Sequence, residues 1–282
     1  MRLEGRPESD NVEDRRGRRA GGVSLPLGGG IGGIILILAL SALTGTNPLE
    51  LLNLVGTPGE ELTDTSSPAD DPQARAISVV LRNTEDTWRR VLLQQGGEAY
   101  VPPTLVLFSD VTDTACGTGQ AAMGPFYCPA DQKVYLDLAF FRELDDKYGA
   151  PGDFAQAYVV AHEVGHHVQT LLGQTARLGK LRESLSERAW NAVSVRQELQ
   201  ADCFAGIWAS VASREGLLEA GDVDEGLRAA AAVGDDTLQR RAQGRVVPES
   251  FTHGTSADRV KWFREGLETG RVDACNTFAL AE

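Results

Sequence analysis

The sequence predicts an α+β domain that is mostly helical with a small sheet and that follows a single N-terminal transmembrane helix. Residues 20–49 contain no charged side chain, as expected of a segment that crosses a bilayer. Two short strand candidates, at 104–109 and 133–137, precede a long region that begins at Asp153 and has helical periodicity with short breaks. Together these patterns indicate a small sheet followed by a larger set of helices.

The charge-free stretch contains an apolar run at 25–43 that is 19 residues long. At about 1.5 Å per residue it spans about 28 Å, close to the ~30 Å of a hydrocarbon core. We interpret 1–20 as a cytoplasmic basic tail, 21–43 as the transmembrane anchor, 44–75 as a flexible linker rich in Pro, Gly, Ser and Thr, and 76–282 as the folded domain. Arginines precede the anchor and acidic residues follow it, so the domain is expected outside the cytoplasm. A cleaved signal peptide is the alternative, although its apolar region is usually only ~7–15 residues long.

The net charge bears on the class of partner, and the cysteine content bears on disulfide formation. The chain has 40 acidic and 27 basic side chains and a formal charge of −13, which argues against nucleic acid as a partner. An even number of cysteines in an exported domain suggests two disulfides. Cys116 and Cys128 flank a glycine-rich segment and suit a loop-closing bridge, whereas Cys203 and Cys275 suggest either a second disulfide or a thiolate ligand for a metal.

The elements before Asp153 follow from local patterns. Residues 77–95 have apolar side chains at helical spacing and end at two glycines. The segment 104–109 is a compact apolar strand, and 133–137 alternates apolar and polar residues. The second strand is interpreted either as a sheet edge to which a peptide could add or as an ordinary internal strand.

The candidate catalytic helix carries the sequence His162-Glu163-Val164-Gly165-His166. Asp153 and Gln156 form a predicted capping box at its start, and Gly173 provides a stop. Residues four apart on a helix project side by side, so the two histidines can bind one cation. Glu163 lies about 100° round the helix from His162, where a general base can reach a metal-activated water.

A catalytic zinc usually has three protein ligands, so a third donor is needed. The segment 194–212 is predicted to be a second amphipathic helix, with Glu198 on its first turn and Asp202 on the same face. Glu198 is the expected third ligand, and Asp202 is expected to orient a ligand imidazole. The alternative is a solvated acidic face on an ordinary helix.

These motifs resemble those of the gluzincin metallopeptidases, whose third ligand is a Glu on a later helix, often in a Glu-x-x-Ala-Asp context. The basic tail, the glycine-rich span, the stretch Met-Gly-Pro-Phe-Tyr-Cys-Pro and the sequence Ser-Phe-Thr-His-Gly near the end are similar to the neutral zinc metallopeptidase family of bacterial membrane-associated proteins. The resemblance covers nearly the whole chain and implies a zincin-like α+β fold. It does not supply a substrate.

The predicted function is therefore a Zn²⁺-dependent peptidase that acts on a protein or peptide substrate and is held at the membrane through its N-terminal helix. Glu163 is the predicted general base, and His253 is a candidate donor to the oxyanion, with a locally hydrogen-bonded loop histidine as the alternative. His167 points about 100° away from His166 and is not expected to bind the metal. Two other functions stay open: a zinc-bound interaction module without turnover, and a zinc amidase that acts on a non-protein amide.

Overall fold

The computed structural model describes residues 1–17, 71–95 and 99–279. These residues form a mostly helical α+β fold with two small sheets, which confirms the predicted class. The strands are β1 Val12–Asp14, β2 Thr104–Leu107, β3 Val111–Thr114, β4 Gly117–Gln120, β5 Phe126–Cys128 and β6 Lys133–Leu136. The α-helices are α1 Pro72–Gln94, α2 Ala139–Asp146, α3 Asp153–Leu171, α4 Gln174–Arg182, α5 Glu187–Arg214, α6 Asp222–Ala232, α7 Asp235–Gln243 and α8 Ser256–Thr269.

The predicted anchor at 21–43 lies outside the described residues, as does most of the predicted linker. Within the described part of the chain, every helix is too short or too polar to cross a bilayer.

The main sheet has the strand order β1-β2-β6-β5. Strands β1, β2 and β6 are parallel, and β5 runs antiparallel to β6. Alternate side chains of β2 and β6 enter the main core, where helices α1 and α3 also pack against each other. Because β6 is paired on both sides, the interpretation of residues 133–137 as a sheet edge is wrong, and β5 occupies that edge instead.

The N-terminal residues are part of the folded domain. Met1–Arg16 belong to one compact unit with the helices and sheets of the rest of the chain. Strand β1 pairs in parallel with β2, and the Ser9 hydroxyl donates a 2.5 Å hydrogen bond to the buried carboxylate of Glu85. The prediction of a separate basic tail at residues 1–20 is therefore wrong for residues 1–16. The helix predicted at 77–95 begins at Pro72 and ends at Gln94.

The pairing of β1 with β2 also constrains the location of the N-terminus. Hydrogen-bonded strands must lie in the same compartment, and one membrane crossing between residues 17 and 71 would separate them. The pairing places residues 12–14 in the same compartment as the rest of the domain, and the identity of that compartment stays a prediction.

The two helices that carry the candidate ligands differ from their predicted starts. Helix α3 has Gly152 as its N-cap, and Asp153 is its first residue rather than a capping side chain. Helix α5 begins at Glu187, where the Ser186 side chain accepts a hydrogen bond from the amide of Ala189. Glu198 consequently lies in the fourth turn of α5 rather than in its first.

Two glycines allow α5 to approach its neighbours closely. A Cβ on Gly165 of α3 would lie 3.0 Å from the carbonyl oxygen of Ala201 in α5. A Cβ on Gly266 of α8 would lie 1.8 Å from the carbonyl oxygen of Cys203, which no side chain can tolerate. Because α5 is held this close on both sides, its carboxylates reach both α3 and α8.

Both predicted disulfides are present. Cys116–Cys128 closes the loop that carries β4 and ends at β5. Cys203–Cys275 fastens the C-terminal turn, which contains Asp273–Cys275, to α5. The alternative in which Cys203 and Cys275 provide a thiolate for a metal is therefore wrong.

Candidate metal centre

Three predicted ligand residues converge at one point between α3 and α5. The Nε2 atom of His162 lies 3.1 Å from Oε2 of Glu198, and Nε2 of His166 lies 3.4 Å from Oε1 of the same carboxylate. The three donor atoms all lie within 4.8 Å of one another. This is the arrangement predicted from an HExxH helix and a later glutamate.

Each histidine is held through its other ring nitrogen. Nδ1 of His162 lies 2.9 Å from Oδ1 of Asp202, which is the orienting contact predicted for Asp202. Nδ1 of His166 lies 2.9 Å from Oε1 of Gln169, a residue that sequence reasoning did not identify. With Nδ1 engaged in both rings, both Nε2 atoms face Glu198.

The carboxylate of Asp202 is fully buried and belongs to a larger polar network. Nε and Nη2 of Arg259 donate to its two oxygens at 2.8 and 2.9 Å, and the Tyr158 hydroxyl donates to Oδ1. Nη2 of Arg259 also donates to the Tyr158 oxygen at 3.2 Å. Sequence reasoning missed Arg259 and Tyr158, because nothing in their local pattern separates them from ordinary helix residues.

The carboxylates create a strongly negative field at the histidines. Burial disfavours the charged form of His162, but Asp202 and Glu198 outweigh that effect and raise the pKa of His162 to about 10. Burial also opposes charge on Glu198, yet the two histidines hold the pKa of Glu198 well below its usual value. A field of this sign favours a cation at the point where the three donor atoms meet.

The predicted general base and the predicted oxyanion donor line the same cavity as the three ligands. Glu163 and His253 line this cavity of about 440 Å³, which is also bordered by β5 and by the turn at Ala121–Met123. The side chain of Glu163 is buried next to His162. His253 enters from the loop that precedes α8.

His253 is half-exposed and is held by Asp235 at the start of α7. Its Nδ1 lies 3.3 Å from Oδ1 of Asp235, and the hydrogen bond with Asp235 raises the pKa of His253. Oδ2 of Asp235 accepts the backbone amides of Thr252, His253 and Gly254 at 2.6–3.0 Å. The loop histidine therefore has a fixed backbone and a carboxylate partner.

His167 is excluded from the metal centre, as predicted. Its Nδ1 contacts the Tyr127 hydroxyl at 3.0 Å, and its Nε2 donates to the carbonyl oxygen of Val101 at 2.7 Å. Burial lowers the pKa of His167, and the bond to the Val101 carbonyl opposes this only in part. A neutral imidazole that ties α3 to the segment before β2 fits these contacts.

A second carboxylate cluster lies at the start of α3 and has a different partner. Asp153, Asp222 and Glu225 bring their oxygens close together. The amino group of Met1 lies 2.6 Å from Oδ2 of Asp153 and 3.4 Å from Oδ2 of Asp222. The Glu225 carboxylate accepts a hydrogen bond from the backbone amide of Phe154. This cluster therefore holds the N-terminus and the first turn of the helix.

Comparison with known proteins gives one family and several relatives. The family described as "Putative neutral zinc metallopeptidase" matches residues 1–278. The uncharacterized protein YpfJ of Escherichia coli K12 is 49% identical over 99% of both chains. The uncharacterized protein Rv2575 of Mycobacterium tuberculosis is 40% identical over 80% of this chain and 78% of its own. The search of solved structures found no match.

Proposed function

The chain belongs to the putative neutral zinc metallopeptidase family, and from that membership and the metal-centre geometry we propose that it is a zinc-dependent peptidase. The observation that carries the proposal is the convergence of two imidazole nitrogens and one carboxylate from separate helices. The predicted base and the predicted oxyanion donor line the cavity beside them. A structural zinc site has no need of such a cavity, because its four ligands close the coordination shell.

The donor set fits zinc. Two histidine nitrogens and one carboxylate oxygen are the ligands of a common class of catalytic zinc site, which leaves a further position for water or substrate. His162, His166 and Glu198 would hold the ion. Zinc in such a site supplies Lewis acidity, which makes water a nucleophile near neutral pH and polarises a carbonyl group.

The other residues then have defined tasks. Glu163 accepts a proton from the attacking water and returns it to the leaving amine. His253 donates a hydrogen bond to the oxyanion, and Asp235 favours the protonated imidazole that this task requires. Asp202 fixes the ring of His162 and receives two hydrogen bonds from Arg259.

We further propose that the substrate is an extended peptide that pairs with β5. This strand borders the cavity, and its only partner among the described strands is β6. A peptide added to a free sheet edge is recognised through its backbone, so its sequence can vary.

The domain is proposed to act outside the cytoplasm. Its two disulfides support this location, because such bonds persist in oxidising compartments. Residues 1–16 then share that compartment, since β1 is paired with β2.

The proposal is tested with the full-length protein purified in detergent. Wild-type protein is expected to bind one zinc and to cleave an unfolded protein. Glu163→Gln is expected to keep the zinc and lose cleavage, because the amide cannot accept the proton. Glu143→Gln is the matched control, since Glu143 lines the same cavity but is exposed to solvent.

The possible outcomes separate the alternatives. If Glu163→Gln cleaves as fast as wild type, the assigned mechanism is wrong. Zinc binding without cleavage of any peptide or cell-wall amide indicates the interaction module, whereas cleavage restricted to cell-wall amides indicates the amidase.

A further inference from the structure

The two candidate histidine ligands are oriented by different chemical groups. A carboxylate, Asp202, contacts Nδ1 of His162, whereas a neutral amide, Gln169, contacts Nδ1 of His166. Gln169 lies one turn after His166 on the same helix, and its side chain is fully buried. An amide can present either its oxygen or its nitrogen, so the group that fixes its orientation also decides what His166 meets.

Two acceptors on α5 fix the orientation of Gln169. Its Nε2 donates to the carbonyl oxygen of Gln197 at 2.7 Å and to Oε1 of Gln200 at 3.1 Å. A backbone carbonyl can only accept, so the nitrogen of Gln169 must face α5 and its oxygen must face His166. His166 then carries its proton on Nδ1, and its Nε2 lone pair is free to bind a metal.

The C-terminal turn fixes Gln200 in the same way. Nε2 of Gln200 donates to the carbonyl oxygen of Cys275 at 3.0 Å, which leaves Oε1 of Gln200 facing Gln169. The turn itself is attached to α5 at two points. The disulfide joins Cys275 to Cys203, and the Thr277 hydroxyl donates to the carbonyl oxygen of Arg196 at 2.7 Å.

These contacts form one directed chain of hydrogen bonds from the C-terminal turn to His166. We propose that Gln169 is a positioning residue for His166, and that the Cys203–Cys275 disulfide sets zinc affinity through Gln200 and Gln169. The inference rests on the proposed zinc site and goes beyond it, because the disulfide then acts on the metal and not only on the stability of the fold. The Cys116–Cys128 disulfide has no such connection and offers a matched control.

The experiment measures zinc affinity of the full-length protein by competition with a chelator. Gln169→Met removes the acceptor and is expected to raise the zinc Kd about 10- to 100-fold, the usual range for losing such a partner. A smaller rise in Kd, under about tenfold, is expected for Gln200→Met and for the double variant Cys203→Ser/Cys275→Ser. The Gln197 carbonyl still holds Gln169 in both of these variants. Cys116→Ser with Cys128→Ser is expected to leave the Kd at the wild-type value.

A second measurement reports on His166 directly. The chain holds four histidines, so selective ¹⁵N labelling of histidine gives a simple spectrum of the zinc-loaded protein. The Nδ1 proton of His166 is expected to exchange slowly with water in wild type and in the Cys116/Cys128 variant. It is expected to exchange faster in the Cys203/Cys275 variant. A general loss of stability would speed exchange in both disulfide variants, so a change in this variant alone indicates the proposed connection.

The outcomes distinguish this inference from the proposed function. Wild-type protein that binds no zinc overturns both. Wild-type zinc binding with equal affinities in the two disulfide variants overturns the inference alone. Should Gln169→Met fail to fold, the wild-type spectrum still decides, because a His166 proton on Nε2 rather than Nδ1 contradicts the proposed orientation.

Discussion

Replacing Arg259 by Met should destabilise the metal-free protein by about 3–5 kcal/mol, the range for breaking a buried ion pair from one side. The guanidinium makes two hydrogen bonds to Asp202, one to the Tyr158 hydroxyl and one to the carbonyl oxygen of Val233. The side chains of Arg259 and Asp202 are only 4% and 0% exposed, so the ion pair is almost completely removed from bulk water. Asp202 then remains a buried carboxylate with only His162 and Tyr158 as partners.

The assay is denaturant-induced unfolding of the metal-free protein in the presence of a chelator. Arg264→Met, on the exposed side of the same helix, is the control and should change stability by less than about 0.5 kcal/mol. Adding Asp202→Leu to Arg259→Met removes the stranded charge and should recover much of the lost stability. The double variant should nevertheless bind zinc about 10- to 100-fold more weakly, because His162 has lost its acceptor. A loss below about 1 kcal/mol for Arg259→Met would refute the assigned role of the network.

Three other predictions follow from separate parts of the structure. Asp235→Asn removes the group that raises the pKa of His253, so His253 loses its proton at a lower pH. The alkaline limb of the kcat/KM profile should therefore move to lower pH, and an unmoved limb excludes His253 as the donor. Peptides with N-methylated amides near the scissile bond should lose kcat/KM at the positions that pair with β5, whereas equal rates for all methylated positions would argue against edge pairing. External protease should cleave both an epitope fused near Met1 and an epitope in the domain in the same cell preparations, because β1 is paired with β2. Protection of only the N-terminal epitope would show that β1 is not paired in the membrane-bound protein.

The metal centre was predictable to the extent that its chemistry is local. His162 and His166 share a face because they are four residues apart on one helix. Glu198 was identified by the need for a third donor and by the motif around it, even though the predicted helix began seven residues too late. The start of α5 was misplaced because Ser186, rather than Ser194, caps the helix.

The sheet shows where sequence patterns are insufficient. The alternation in residues 133–137 predicts a strand but contains no information on how many neighbours it has, and β6 lies between β2 and β5. Strand β1 was missed because Val12 lies among charged residues that favour a solvated tail. The missing information is the long-range pairing between β1 and β2, which only the folded chain provides.

The orientation of the two histidines illustrates the same limit at the scale of single atoms. The residues that fix them come from beyond the predicted ligand set: Arg259 acts on His162 through Asp202, and the Cys275 carbonyl acts on His166 through Gln200 and Gln169. Both chains of contacts end in the last part of the sequence, which supplies none of the three candidate ligands. The contact of α8 with α5 at Gly266 and the disulfide at Cys203 bring that part against the centre. The ligand positions are thus encoded locally in α3 and α5, whereas the directions of their lone pairs depend on contacts within α3 and α5 and also on the packing of the C-terminal segment against α5.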